Sequence, residues 1–321
     1  MKAKEVEEEM NRCGAAGKTF LFGVDFEMQE GFFVEDPMQN NEIAFVCGTI
    51  TNVPPDNSPI EVPRLDILRT DADAYRKKFE IVQKGLLYGD SFLLNLTEKT
   101  PVQTNLSLEQ IFHHCQARYK LLIPERLVCF SPESFIRIIE GEIFSYPMKG
   151  TIDATLPEAE KQLLENHKEA CEHYTIVDLI RNDLNRVATN VQVKRFRYVE
   201  KIPTLHGEIL QTSSEISGRL TSDWQKQAGT LLFQLLPAGS ISGAPKLATV
   251  HLIQKAEEHP RGYYTGIFGY YDGQNLDSAV MIRYIEKEGE QYFFRSGGGI
   301  TVNSNVDEEY KEVIGKIYLP I

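Results

Sequence analysis

The chain has 321 residues, of which 42% are hydrophobic and 25% charged, a balance that fits an ordinary globular enzyme and excludes disordered or collagen-like chains. Its 34 basic side chains stand against 46 acidic ones for a net charge of −12, so no overall field draws in a phosphate backbone and nucleic acid is not an expected partner. An anionic small molecule remains open, provided that a few cations or a metal overturn the field locally.

Length alone leaves one large core or two modest ones open. Cys13, Cys47, Cys115, Cys129 and Cys171 are odd in number and form no CxxC pair, which reads as reduced thiols. The N-terminus, MKAKEVEEEMNRCG, is acidic and lacks the apolar stretch of a signal peptide. No run approaches the roughly 18 apolar residues of a membrane span. A cytoplasmic protein without a membrane partner is the expectation.

In chain order, FLFGVDF and IAFVCGTI are strand-like, and the four prolines of Thr51 to Arg64 mark an irregular loop. The apolar spacing from Asp71 to Tyr88 predicts a helix. Leu127 to Ile143 reads as two strands around a turn, and Pro157 opens a helical pattern that runs to about Arg181. Two more helices are expected around Trp224 to Leu236 and Pro245 to Glu258. The aromatic and β-branched text from Gly262 to Phe294, with turns at Asp272-Gly273 and Glu288-Gly289, has a hairpin signature. A glycine run at Gly297 to Gly299 precedes a final helix from about Val306 to Tyr318. Strands and helices are grouped and do not alternate strictly, so the fold class is read as α+β with largely antiparallel sheets, in one large domain.

Two acidic pairs stand out. Glu169 and Glu172 lie three apart on the long helical pattern, and Glu309 and Glu312 repeat that spacing on the last. Each pair alone also fits a solvated helix face. Facing each other, the pairs would repel unless a divalent cation sat between them, and Mg²⁺ favours such oxygen ligands. Lys149 sits in PMKGT beside Gly150, which permits close backbone approach, and Thr151, which offers a hydroxyl. A lone turn lysine is ordinarily solvated, yet a neutral lysine amine is a competent nucleophile. PAGSISGAPK, with Ser240 and Gly243, reads as a helix N-terminus, a structural role that also offers N–H groups to an anion. Gly297 and Gly299 fit either a flexible turn or a backbone cradle for a carboxylate. Arg283, in the apolar run AVMIRY, must be paired if buried, with a protein carboxylate or a substrate one. Glu133 is an otherwise ordinary turn carboxylate. No Ser/His/Asp spacing, zinc motif, P-loop or dinucleotide fingerprint is present.

SPESF, PMKGT, KEACEHYTIVDLIRNDLNRVA, PAGSISGAPK, GYYTGIFGY, AVMIRY, SGGGI and EEYKEVIGK follow one another in an order that resembles the chorismate-utilising enzymes. These include the large components of anthranilate and aminodeoxychorismate synthases and the isochorismate and salicylate synthases. The match runs from about Gly89 to the C-terminus, so a single chorismate-binding catalytic domain over 1–321 is expected, with its motif-rich core at about 89–321 and N-terminal strands, within 1–64, reduced relative to the family. The resemblance implies two facing β-sheets in a sandwich with helices outside. It also implies Glu172 and Glu312 as direct Mg²⁺ ligands, with Glu169 and Glu309 reaching the cation through water. Gly297 and Gly299 then match backbone contacts to the ring carboxylate, and Lys316 a basic residue near it. Arg283 and Tyr270 match the enolpyruvyl carboxylate site, and Glu133 matches the acid that protonates the departing C4 hydroxyl.

Lys149 stands where anthranilate synthases resemble PIAGT with alanine, whereas aminodeoxychorismate synthases carry lysine. The resemblance therefore implies attack of Lys149 on C2 of chorismate, followed by addition of ammonia at C4. The product would be 4-amino-4-deoxychorismate, on the route to 4-aminobenzoate and folate. No glutaminase nucleophile is evident, so a separate glutamine amidotransferase subunit is the expected partner. Leu93 occupies the place of the lysine base of the water-using branch and of the glutamine usual in the amine-using branch; leucine cannot activate water, which disfavours the former. Gln211 falls where the family usually has histidine. The pocket that holds tryptophan in many relatives has no clear counterpart, and feedback by tryptophan is not expected. The alternatives are an anthranilate synthase component I and a catalytically silent chorismate-binding subunit.

Overall fold

The computed structural model describes residues 1–40, 42–56, 58–204 and 207–321. Alternating apolar residues along the strands build two sheets whose pairings are all antiparallel among the described residues. The first sheet runs, in spatial order, Met148–Asp153, Gly207–Arg219, Glu142–Ser145, Ser134–Ile139, Leu276–Val280, Ile267–Tyr271, Phe20–Val24 and Gly31–Glu35, with Thr189–Thr204 also paired to Gly207–Arg219. The second runs Gly243–Ala244, Leu93–Thr104, Gln291–Ile300, Tyr284–Glu288, Leu127–Ser131, Tyr119–Ile123, Ala44–Cys47 and Ile50–Thr51, with Leu65–Ile67 added beside Leu93–Thr104.

One buried cluster takes Leu21, Phe268 and Tyr270 from the first sheet and Phe45, Leu121 and Tyr284 from the second, so the sheets face each other across it. Helices close the outer faces. Ala3–Ala15, His167–Leu184 and Ala228–Leu235 bury Val6, Ile176 and Leu232 on the first sheet. Ala72–Tyr88 and Lys246–Ala256 bury Phe79 and Leu252 against Leu94 and Leu96 of the second. This is the expected α+β sandwich. No described helix is long and apolar enough to cross a membrane.

Several expected elements are divided more finely. The helical pattern from Pro157 to Arg181 is two helices, Ala159–Glu165 and His167–Leu184. Asn166 separates them in an extended conformation, and its side chain accepts from the Glu169 N–H at 3.1 Å, capping the second helix. Leu127 to Ile143 holds two full strands and the start of a third, and the first two belong to different sheets. Pro132 and Glu133 carry the chain across. A second crossing, from Val280 to Tyr284, runs beside it. The Val280 N–H donates to the Glu133 carbonyl at 3.2 Å and the Phe130 N–H to the Arg283 carbonyl at 2.9 Å. The hairpin text from Gly262 to Phe294 thus yields one hairpin per sheet. Gly297 to Gly299 is no turn but the interior of a strand, paired to Thr97, Leu96 and Asn95. The last helix stops at Gly315.

The PAGSISGAPK segment forms one helical turn, Gly239–Ser242, then a two-residue strand, before helix Lys246–Ala256 begins behind Pro245, which gives no side-chain cap. Gly243 pairs with Leu94 at φ +106°, and a β-carbon there would lie 1.8 Å from the Leu93 carbonyl. Only glycine can make that approach. Gly243→Ala is expected to cost more than about 2 kcal/mol, the scale of a forbidden backbone angle combined with a clash. Urea unfolding followed by circular dichroism should show a lowered midpoint with little change in slope.

Candidate active site

Strand alternation aims a set of side chains into one cavity of about 600 Å³. On Leu93–Thr104, Leu94 and Leu96 pack under the helices while Leu93 and Asn95 face the cavity; on Gln291–Ile300, Gly297 and Gly299 do so. The absent side chains keep that floor open. A β-carbon on Gly297 would meet Asn95 Oδ1 at 2.5 Å, and one on Gly299 would come within 3.4 Å of both Leu93 Cδ1 and Lys149 Nζ.

Lys149 owes its direction to a bulge. Met148 pairs with Ser213 and Thr151 with Gln211, so Lys149 and Gly150 together stand opposite Thr212 alone. The Thr212 hydroxyl donates to the Lys149 carbonyl, and Gly150 takes φ +82°. The released lysine reaches Glu172 Oε2 at 3.2 Å. The positive φ of Gly150 is why glycine follows the lysine, and a β-carbon there would also come within 3.1 Å of Glu169 Oε2.

The four glutamates enter from the N-terminal turns of two helices. Glu169 and Glu172 lie on His167–Leu184, and Glu309 and Glu312 on Val306–Gly315, where the Asn305 side chain accepts from the Asp307 and Glu308 N–H groups. Glu309 is buried and accepts from the Ser304 hydroxyl at 2.7 Å. Glu312 is paired with Lys316 at 2.7 Å, and the same ammonium donates to the Gly297 carbonyl at 2.7 Å. Among the described residues no three His, Cys, Asp or Glu side chains are gathered closely enough to hold an ion as they stand. The donor set is nonetheless all carboxylate oxygen, the chemistry a hard cation takes.

Glu133 and Arg283 come from the paired crossings between the sheets. The Glu133 N–H donates to Ser131 Oγ at 3.1 Å, and its carboxylate accepts from Ser240 Oγ at 2.7 Å. Burial pushes its carboxyl above the usual carboxylate range, against the smaller opposing pulls of the Ser240 hydroxyl, Lys149, Lys316 and Arg283. Arg283 has φ +53°, and its guanidinium lies over the Tyr318 ring at 5.3 Å. No described protein carboxylate forms an ion pair with it, which leaves the fork for a ligand.

Fourteen of the fifteen expected site residues line the one cavity: Glu133, Lys149, Gly150, Thr151, Glu169, Glu172, Ser240, Gly243, Arg283, Gly297, Gly299, Glu309, Glu312 and Lys316. Tyr270 does not. It points into the core between the sheets, stacks on Phe45 at 5.3 Å between ring centroids, and borders a separate cavity of about 490 Å³ with Arg118 and Arg137. The tyrosine that reaches the site is Tyr264, in the turn that precedes the strand. Sequence reading also passed over Asn95, whose Oδ1 is buried beside Gly297 without a hydrogen-bond partner among the described residues. Its place two residues after Leu93 on a strand was the available signal.

Residues 27–320 match the model of the chorismate binding enzymes. The chain belongs to this family. A Pasteurella multocida protein named as an uncharacterized PabA-like protein is 51% identical over 98% of each chain. Aminodeoxychorismate synthase component 1 of Escherichia coli is 31% identical over 76% of this chain, which spans 56% of that relative. Anthranilate synthase component 1 of Archaeoglobus fulgidus is 30% identical, over 91% and 73%. The solved structure of the menaquinone-specific isochorismate synthase of Escherichia coli superposes with a TM-score of 0.73 at 15% identity, over 98% of this chain and 80% of that one, a likeness of fold. This chorismate binding enzyme therefore shares its sandwich with relatives named for different reactions.

Because the folded chain holds the Glu133 proton to higher pH than the unfolded chain, that residue's contribution to stability is complete below the ordinary value of 4.5 and is lost as pH rises through the raised one. Glu133→Gln carries no charge at any pH. Its stability relative to the wild type is expected to improve steadily across that window, as read by urea unfolding from acid to neutral pH. A constant difference would place the Glu133 carboxyl in ordinary solvent.

Proposed function

We propose that this chorismate-utilising enzyme is the ammonia-using component of an aminodeoxychorismate synthase. The observation that carries the reading is the Lys149 amine, turned by its bulge into the cavity that also holds Glu133. The neutral amine attacks C2 of chorismate; the C4 hydroxyl departs with the Glu133 proton as water, and the ring double bond shifts between them. Ammonia then adds at C4 and the C2–N bond to Lys149 breaks. Two successive allylic displacements bring nitrogen to C4 on the original side, giving 4-amino-4-deoxychorismate.

Arg283 pairs with the enolpyruvyl carboxylate, and the N–H groups around Gly297 and Gly299 meet the ring carboxylate beside Lys316. Leu93 leaves this wall without a base for water. Glu172 and Glu312 would hold Mg²⁺, with Glu169 and Glu309 behind them. When bound, the ion supplies the positive charge that a −12 chain needs around a dianionic substrate. The nitrogen comes from a glutamine amidotransferase partner, and ammonium salts replace it in vitro.

Anthranilate synthase is the second reading, supported by the A. fulgidus relative, and the product separates the two. Purified chain with chorismate, Mg²⁺ and ammonium is expected to give 4-amino-4-deoxychorismate by chromatography and mass spectrometry. Anthranilate from the wild type would overturn the first reading. Glutamine should fail as nitrogen source until an amidotransferase is added, and EDTA should abolish turnover until Mg²⁺ is restored.

Without ammonium, intact-mass spectrometry should find an adduct that maps to Lys149. Lys149→Ala is expected to lose at least about a hundredfold in aminodeoxychorismate formation, the lower range for loss of a nucleophile or proton donor. Wild-type rate and product in Lys149→Ala would reduce the lysine to a positioning charge and favour direct substitution.

A further inference from the structure

Ser240 lines the cavity, and its surroundings tie it to Glu133. Its hydroxyl is spent on the protein, donating to Glu133 Oε1 at 2.7 Å. Glu133 is otherwise fixed through its backbone, by Ser131 Oγ on one side and the Val280 N–H on the other. The side-chain orientation of this carboxyl thus depends on the serine.

Ser240 is itself held with little freedom. It is the second residue of the turn Gly239–Ser242, where the Ile241 and Ser242 N–H groups donate to the Ala238 carbonyl at 3.1 and 2.8 Å and the Ser242 hydroxyl donates to it at 3.0 Å. Asp183 packs against Gly239 so closely that a β-carbon there would lie 2.9 Å from Oδ2. Lys246 grips that carboxylate at 2.9 Å and also donates to the Leu235 carbonyl at 2.8 Å. One largely buried ion pair, with side chains 14% and 12% exposed, therefore ties the segment before the turn, the turn and the helix after it.

We propose that Ser240 is a positioning residue, whose hydroxyl sets the orientation of the Glu133 carboxyl and steadies the carboxylate left behind when the acid gives up its proton. The proposal rests on the reading of Glu133 as the acid of the reaction above. In that step the Glu133 O–H bond breaks, the C4–O bond breaks with its electron pair on oxygen, and the proton and hydroxyl leave together as water. Glu133 is then anionic, and the Ser240 hydroxyl donates to it. When ammonia adds at C4 the surplus proton on nitrogen returns to Glu133, which restores the acid for the next cycle. The charged groups facing Glu133 are Lys149, Lys316 and Arg283, from three other elements. They favour the same anion, but Lys149 is bonded to Glu172 and Lys316 to Glu312 and the Gly297 carbonyl, whereas the Ser240 hydroxyl donates to Glu133.

The sign of the effect follows. A donor to the carboxylate favours the charged form, so its removal keeps Glu133 protonated to higher pH. Wild type, Ser240→Ala and Ser240→Thr are compared with chorismate and ammonium across pH, after circular dichroism has established that each is folded. The alanine variant should lose about tenfold in kcat while KM stays within about twofold, and the basic limb of its profile should move to higher pH. Threonine keeps the hydroxyl and should restore both. A raised KM with kcat and limb unmoved would make Ser240 a substrate contact and overturn the proposal, as would identical kinetics in all three. A carbon-detected NMR titration of Glu133 reads the same coupling without turnover: the alanine variant should titrate higher than wild type, and coincident curves would overturn the proposal. Should the wild type fail to convert chorismate and ammonium, the functional reading falls, and the titration still decides the role of Ser240.

Discussion

Two crossings between facing sheets, bonded to each other, are the constraint on which the site depends. Where the chain leaves one sheet at Ser131 and the other at Val280, the strands end and their backbone groups need new partners. The Val280–Glu133 and Phe130–Arg283 hydrogen bonds supply them and lock the corners side by side. An acid and a guanidinium thereby enter one cavity from positions fixed by sheet geometry and not by a mobile loop. The rest of the site is arranged around that corner, with the glycine strand as floor and two helix N-termini opposite.

The electrostatics follow from the same economy. The cavity gathers Lys149, Lys316 and Arg283 together with five glutamates in a chain that is acidic overall. Two of the cations are bonded to carboxylates, at Glu172 and Glu312. The first pairing offsets the cost of removing Lys149 and Glu172 from water, while Glu312 of the second stays largely in solvent. Arg283, which lies over the Tyr318 ring and forms no ion pair with a carboxylate among the described residues, is the exception, and it marks where an external anion gains most.

Much of this was legible in the sequence because it was written in local signals. The helical spacing of the two glutamate pairs and the grouping of strands predicted real elements, and motif order brought fourteen residues into one place. Tyr270 shows where that kind of reading fails. In Ile267–Tyr271 alternate residues face opposite sides, and nothing local says that the side shared by Phe268 and Tyr270 meets Phe45 and not the cavity. The hairpin text from Gly262 to Phe294 concealed a change of sheet for a related reason: a crossing and a tight turn use similar residues, and only the partner strands tell them apart. The break at Asn166 was readable in principle, since asparagine three residues before a glutamate is a capping signal. Continuous apolar spacing on both sides outweighed it.

The bulge at Lys149 has a consequence for how such a site can change. The Thr212 hydroxyl holds the main-chain carbonyl of residue 149, and the sheet ladder passes over positions 149 and 150 without pairing them to neighbours. The backbone at residue 149 is therefore held independently of its side chain, whose ion pair is with Glu172. A different side chain on this mount would leave the sheet ladder as it is, and what the exchange would disturb is the charge balance around Glu172.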